Sequence, residues 1–260
     1  AATMVTAGVF LIAKCSPIFE FSSIAREIIM IIGMLTAVFA ATIAVTQDDI
    51  KKIIAYSTCS QLGYMFIACG LSAYNIAIFH LMTHAFFKAL LFLCAGNVIH
   101  AMHHEQNIRT MKNCWKKIPY TYTFMWIGSL ALSGIFPFAG FYSKDLIIEH
   151  AYNSNNLAFI VSLIVALFTS FYSWRLLILV FHGKKQSNSD VHEVPKVMLA
   201  PLVILVCGSL FSGIWGTDIL NITSNTFWKS SLVVADMHVI NNYFVKILPT
   251  SISLGGILFA

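Results

Sequence analysis

The sequence contains few charged residues. Asp, Glu, Lys and Arg make up only 10% of its 260 residues, whereas soluble domains carry about 25%. Hydrophobic residues account for 58%, and the mean hydropathy is +0.79. These values exclude a soluble globular protein and predict an all-α, polytopic membrane helix bundle. The net charge of +5 therefore bears on membrane topology, and we expect no nucleic acid partner.

The sequence also lacks cysteines at metal-ligand spacing. None of its six cysteines forms a Cys-x-x-Cys pair, and most lie in apolar stretches. We therefore expect neither an iron–sulfur site nor a disulfide framework. No motif for a redox cofactor occurs, so we expect no cofactor and no metal in this chain.

Long hydrophobic runs are abundant. We count about eight, and most approach the roughly 20 residues that a helix needs to cross a bilayer. They cover residues 1–13, 24–46, 50–71, 74–102, 120–150, 157–181, 197–216 and 243–260. The first and last runs stop abruptly at the chain ends. We therefore expect either an internal part of a longer protein or one product of a split gene.

Basic residues are concentrated in alternate connections between these runs. If every run spans the membrane, three basic connections share one side, and the positive-inside rule assigns that side to the cytoplasm or the mitochondrial matrix. The residues concerned are Lys51 and Lys52, then Arg109, Lys112, Lys116 and Lys117, and finally Lys184, Lys185 and Lys196.

Three ionisable residues recur at intervals of four within the run 74–102. On a helix, His80, His84 and Lys88 would share one face. Charged groups inside a membrane segment are costly, by roughly 3 to over 10 kcal/mol at the bilayer centre. Their alignment predicts a buried polar path, although His84 taken alone would more often be a hydrogen-bonded core histidine.

The preceding run carries Ser57, Ser60, Gln61 and Tyr64 on one helical face. Small polar groups at such positions commonly serve helix–helix packing. Beside the histidine and lysine row, the alternative is that these four residues line a hydrated path.

The run 120–150 contains helix breakers. Gly134, Pro137 and Gly140 occur within seven residues, followed by Lys144 and Asp145. Proline removes a backbone donor and clashes with the preceding turn, so we predict a broken helix. Transporters place such breaks at ion sites. The alternative is that the break marks the membrane edge and that Lys144 belongs to a loop.

Arg175 interrupts the apolar run 157–181. A charge at this position needs a partner or an aqueous cavity. Asp145 is a candidate partner, and Arg175 is a further candidate for lining the path.

Several motifs together resemble a known family. The motifs are Ala1-Ala-Thr-Met-Val-Thr-Ala-Gly-Val-Phe-Leu, Asp49-Ile-Lys-Lys-Ile-Ile-Ala-Tyr-Ser-Thr, Ser60-Gln-Leu-Gly-Tyr-Met, His80-Leu-Met-Thr-His-Ala-Phe-Phe-Lys-Ala-Leu-Leu-Phe and Gly140-Phe-Tyr-Ser-Lys-Asp. Through them the chain resembles, over nearly its whole length, chain 5 of NADH–ubiquinone oxidoreductase, respiratory complex I, and more loosely Mrp-type cation/proton antiporter subunits.

The resemblance implies two inverted five-helix repeats, each with one broken helix. Residues 24–181 would form the second repeat, residues 1–23 a partial helix and loop, and residues 182–260 additional transmembrane helices. The family's first repeat, with its glutamate–lysine pair, and its lateral helix have no counterpart here. Other membrane-arm subunits of complex I would be the partners that supply them.

The resemblance also implies roles for residues. Lys88 would be the central-axis lysine, His80 and His84 the histidine relay, and Lys144 the broken-helix lysine beside Asp145. FMN and iron–sulfur clusters would lie in other subunits. The implied location is the mitochondrial inner membrane, with a bacterial plasma membrane as the less favoured alternative.

Three other functions remain open from the residues. A sodium/proton antiporter subunit would carry much the same charged residues. A membrane haem protein would use His80 or His84 together with His100 as axial ligands. A purely structural membrane subunit would need none of these groups for chemistry.

Overall fold

The computed structural model describes residues 4–111, 115–182, 193–229, 231–234 and 243–260. These residues form a bundle of α-helices, and no β-strand lies within this described part. A π-helical turn, Trp215–Ile219, extends the helix Lys196–Ile214. The helices are α1 (Ala7–Lys14), α2 (Ser16–Glu20), α3 (Ser23–Thr46), α4 (Ile50–Gly70), α5 (Tyr74–Ala101), α6 (Pro119–Ser133), α7 (Ala139–Ser154), α8 (Asn156–His182), α9 (Lys196–Ile214), α10 (Asn225–Trp228) and α11 (Tyr243–Leu258).

The helix lengths and compositions are those of a membrane protein. Among the described residues, four helices are long and apolar enough to cross a bilayer: α3, α5, α8, and α9 with its π-helical extension. Helix α4 is more polar. The bundle accommodates this because most of its side chains face other helices and not the outside of the bundle. The prediction of a polytopic membrane helix bundle is confirmed. The short helices α2 and α10 were not predicted.

Helices α3 and α4 pack closely because glycine removes the side chain at their contact. A Cβ atom at Gly63 would overlap the backbone and side chain of Ala37 on α3. The hydroxyl of Ser60, three residues earlier on α4, donates to the Ala37 carbonyl at 3.1 Å. Asp49 caps the start of α4 by accepting from the backbone N–H groups of Lys51 and Lys52.

The predicted helix break is confirmed. Helix α6 ends at Ser133, and Gly134 caps it with a φ of +77°, in the left-handed region that glycine adopts without strain. Helix α7 begins at Ala139, after Pro137. A Cβ atom at Gly140 would overlap the Ala131 carbonyl, so glycine lets the first turn of α7 lie against the last turn of α6.

The described parts of the three basic connections lie on the same side of the bundle, as predicted. The first two are joined by backbone hydrogen bonds from Ile50 to the Gln106 carbonyl at 3.0 Å and from Ile108 to the Asp48 carbonyl at 2.8 Å. Glu193, in the third connection, accepts from Thr121 at the start of α6 at 2.8 Å. Lys112, Lys184 and Lys185 lie outside the described residues.

Candidate functional site

A row of buried polar side chains runs through the centre of the bundle. His80, His84 and Lys88 on α5 are fully buried, and the ring centroids of the two histidines lie 6.1 Å apart. The predicted row on one helix face is therefore confirmed, while its use as a proton path stays a prediction. Helices α4, α7 and α8 supply the other polar groups, which are Ser57, Gln61, Tyr64, Ser143, Lys144 and Tyr172.

His80 is hydrogen-bonded through both ring nitrogens. Nδ1 lies 2.9 Å from Ser143 Oγ on α7, and Nε2 lies 3.1 Å from Gln61 Oε1 on α4. Because the Gln61 oxygen accepts, Nε2 carries the proton and Nδ1 accepts from Ser143. The Ser143 hydroxyl also lies 2.7 Å from that of Thr83. His80 thus joins three helices in one hydrogen-bonded network.

His84 is buried differently. Neither of its ring nitrogens has a hydrogen-bond partner among the described residues. The edge-on ring of Phe87, with its centroid 5.3 Å away, is an apolar neighbour. Buried polar atoms in native proteins nearly always have a partner, so these two nitrogens set His84 apart from His80.

Lys88 closes the row at the end nearer the basic connections. Its Nζ donates to Ser57 Oγ, which lies 2.6 Å from the hydroxyl of Tyr172 on α8. A cavity of about 10 Å³ adjoins these three side chains. That volume is close to the minimum that holds one water molecule.

Lys144 lies in the second turn of α7, directly after the helix break, and is 1% exposed. The alternative that places it in a membrane-edge loop is wrong. Its Nζ lies 5.6 Å from the centre of the Tyr64 ring and has no hydrogen-bond partner among the described residues. Tyr64 is fixed beneath it because its hydroxyl donates to the Ser162 carbonyl.

Asp145 is buried beside Lys144 and faces α11. Its Oδ2 lies 3.5 Å from the hydroxyl of Thr250. The side chains of Asp145 and Lys144 both border Gly134, which caps the end of α6 at the break. The predicted pair therefore lies at the break itself.

Ser60 does not join this row, although it was predicted together with Ser57, Gln61 and Tyr64. Its hydroxyl donates to α3, as described above, so helix–helix packing explains this residue.

Arg175 does not pair with Asp145, and that predicted partner is wrong. Its guanidinium donates to the Gln47 carbonyl and to Asp48 Oδ1, both at 2.7 Å. Asp48 also binds Arg109 Nε at 2.8 Å. Arg175 therefore joins α8 to the basic connections, one turn beyond Tyr172, and its role in lining a path stays a prediction.

Thr83, Ser143 and Tyr172 were not predicted from the sequence. Thr83 and Ser143 lie within the motifs that carry His80 and Lys144, so their proximity along the chain was an available signal. Tyr172 had no such signal, because it lies 115 residues from its partner Ser57.

The haem alternative fails on geometry. His80, His84 and His100 all belong to the single helix α5. At about 1.5 Å per residue, His100 lies roughly 30 Å from His80 and 24 Å from His84. No iron can bind His100 together with either of them. Within the described residues, no cluster of three or more His, Cys, Asp or Glu side chains could hold a metal ion.

Known proteins are similar in sequence to nearly the whole chain. The chain is 54% identical to NADH-quinone oxidoreductase subunit L from Rickettsia typhi over 99% of its length, and that match covers 41% of the relative. It is 49% identical to NADH-ubiquinone oxidoreductase chain 5 from Marchantia polymorpha over 100% of its length and 40% of that protein. The chain thus spans about two fifths of the length of these relatives.

A solved structure shares the fold. A chain in the Mrp complex of a Dietzia species superposes with a TM-score of 0.78 over 98% of this chain and 29% of that one, at 22% sequence identity. The family model described as NADH:quinone oxidoreductase/Mrp antiporter, transmembrane, matches residues 1–170. The chain belongs to the NADH:quinone oxidoreductase/Mrp antiporter transmembrane family.

Proposed function

We propose that this chain forms a proton-translocating part of the membrane arm of respiratory complex I. The relatives that are about half identical to it carry complex I names. The observation that carries the proposal is the pair of buried lysines, Lys88 and Lys144, with His80 and His84 between them. NADH oxidation would take place in other subunits of the complex.

The row can move protons because its members can bind and release them at short range. Desolvation favours the neutral form of a lysine, and a carboxylate nearby favours the charged form. A histidine passes a proton by exchanging donor and acceptor roles between its two nitrogens. His80 already has a partner at each nitrogen. A water molecule at His84 would link His80, one turn before it, to Lys88, one turn after it.

Lys144 and Asp145 would form the other end of this half-path. Ser143, which contacts His80, directly precedes Lys144 on α7. A proton that reaches this network at His80 would pass on to the lysine next to it. Asp145 would alternate between stabilising the charged lysine and releasing it. The broken helix supports this role, because unwound backbone leaves peptide groups available beside the charge.

The partners that we propose are other membrane-arm subunits, including those that contribute a first antiporter-like repeat and a lateral helix. The membrane that we propose is the mitochondrial inner membrane, and a bacterial plasma membrane is the alternative. The sequence identity of the chain is 54% to a bacterial relative and 49% and 50% to two plant relatives, so identity does not separate the two membranes.

A sodium/proton antiporter is the second candidate, and the fold shared with the Mrp chain favours it. The test uses the complex purified through a tag on this chain and reconstituted into proteoliposomes. NADH should drive proton uptake at the same rate with and without sodium. Failure to oxidise NADH, together with proton movement that requires sodium, would support the antiporter and contradict the complex I proposal.

A further inference from the structure

Tyr172 extends the polar row towards the basic connections. Its hydroxyl is joined to Ser57, and Ser57 accepts from Lys88, so a phenol on α8 is linked to the lysine through one hydroxyl group. All three side chains are at most 1% exposed. Helix packing alone does not require a buried tyrosine hydroxyl at this position, since phenylalanine would fill the same volume.

The cavity beside these groups extends from Lys88 in the same direction. Its walls include Ile53 and Ile54 in the early turns of α4, which starts at the basic side. Two further hydroxyl side chains, Ser129 and Ser173, also line it. A single water there would lie between the buried row and the connection that contains Asp48.

The position of Tyr172 is fixed by the next turn of α8. Arg175 binds the Gln47 carbonyl and the Asp48 carboxylate, and both acceptors belong to the connection that leads directly into α4. Ser57 is on α4 and Tyr172 is on α8, so this attachment holds the two hydroxyls within hydrogen-bond distance of each other.

We propose that Tyr172 and Ser57 exchange protons between Lys88 and the basic side of the membrane, with Arg175 and Asp48 as positioning residues. This inference rests on the proposed function. When Lys88 is a neutral amine, a proton reaching the Tyr172 oxygen releases the phenol proton to Ser57. Ser57 then releases its own hydroxyl proton to Lys88 Nζ. Each oxygen ends with one proton, and the lysine gains one.

The test replaces Tyr172 by phenylalanine in the intact complex. Tyr172→Phe retains the ring and removes the hydroxyl, so the complex should assemble. Proton uptake and quinone-linked NADH oxidation should both fall by roughly fivefold or more, the effect of losing a hydrogen bond in a transfer step. The rate of proton uptake in H₂O divided by that in D₂O should be higher than in the wild type, because proton transfer then limits turnover.

Tyr74→Phe is the matched control. Tyr74 is also buried and donates to Glu20 at 3.0 Å, but it lies outside the polar row. This control should keep the wild-type isotope ratio. Ser57→Ala interrupts the same link and should reproduce the result of Tyr172→Phe; it decides the question if the tyrosine variant does not assemble.

The inference is overturned if the variant that assembles pumps at the wild-type rate, or pumps more slowly with an unchanged isotope ratio. Lys88→Met separates this result from failure of the proposed function. Normal pumping by Lys88→Met would reject the proposed function, whereas impaired pumping by Lys88→Met with normal pumping by Tyr172→Phe would reject only the role of Tyr172.

Discussion

The hydroxyl of Ser143 on α7 lies 2.9 Å from Nδ1 of His80 on α5. The residue directly before the broken-helix lysine therefore contacts the histidine row. This contact joins α7 to α5 next to Lys144, and Thr83 lies within hydrogen-bond distance of the same hydroxyl. The Nζ of Lys144 itself has no hydrogen-bond partner among the described residues.

Removing that hydroxyl should slow pumping without preventing assembly. Ser143→Ala deprives Nδ1 of its donor, and a neutral hydrogen bond is worth about 1 kcal/mol, or roughly fivefold in rate. The measurement is NADH-driven proton uptake per assembled complex. Ser209→Ala is the control, because the buried Ser209 hydroxyl bonds only within α9, to Leu205 at 2.8 Å. Equal rates in both variants would show that Ser143 is not part of the path.

At Lys144, neither alanine nor arginine should restore pumping. Alanine removes the titrating group, while arginine keeps the charge but does not release its proton at physiological pH. Both complexes should assemble, with proton uptake per NADH lower than in the wild type and lowest for Lys144→Ala. Recovery of wild-type uptake by Lys144→Arg would indicate a purely electrostatic role.

The ion pairs of Asp48 should stabilise the basic side in a pH-dependent way. Arg109, and then Arg175, hold the pKa of Asp48 below its usual value. A lowered pKa in the folded protein means that the stabilisation is present above about pH 4 and is lost as the pH falls through the folded pKa. Asp48→Asn should therefore speed hydrogen exchange at residues 105–109 at pH 7. The difference from the wild type should shrink as the pH falls from about 4 through the folded pKa of Asp48, and a difference independent of pH would contradict this account.

Two glycines offer a paired test of the helix packing. Gly63→Ala should destabilise the chain, because the new methyl group overlaps Ala37 on α3. Gly96→Ala should be neutral or stabilising by up to about 1 kcal/mol, since a helical alanine is favoured over glycine and no atom lies within 4 Å of the added Cβ. Thermal unfolding of the complex in detergent measures both. A lower melting temperature for Gly96→Ala than for Gly63→Ala would contradict the packing described here.

The features that the sequence predicted well are those set within one helix. His80, His84 and Lys88 are related by helical spacing alone, and the break at Gly134 follows from local backbone chemistry. Partners on other helices could not be predicted in this way. Ser60 has the same polarity as Ser57, but only the position of α3 shows that it is a packing residue.

Long-range pairing also explains the error at Arg175. A charge within an apolar run predicts that a partner exists, but not which acidic residue supplies it. Asp48 lies 127 residues away in sequence and reaches Arg175 because the connection before α4 packs against α8.

The central claim is that Lys88 carries protons through the bundle. Lys88→Met keeps much of the length of the apolar stem and removes the titrating amine, so α4, α5 and α8 should remain packed. Lys52→Met, at an exposed position at the start of α4, is the control for loss of a lysine charge.

The most direct measurement is proton uptake per NADH oxidised, in proteoliposomes that contain equal amounts of assembled complex. For Lys88→Met we predict strongly reduced proton uptake and reduced quinone-linked NADH oxidation, while Lys52→Met behaves as the wild type. Wild-type proton uptake by assembled Lys88→Met would contradict the account.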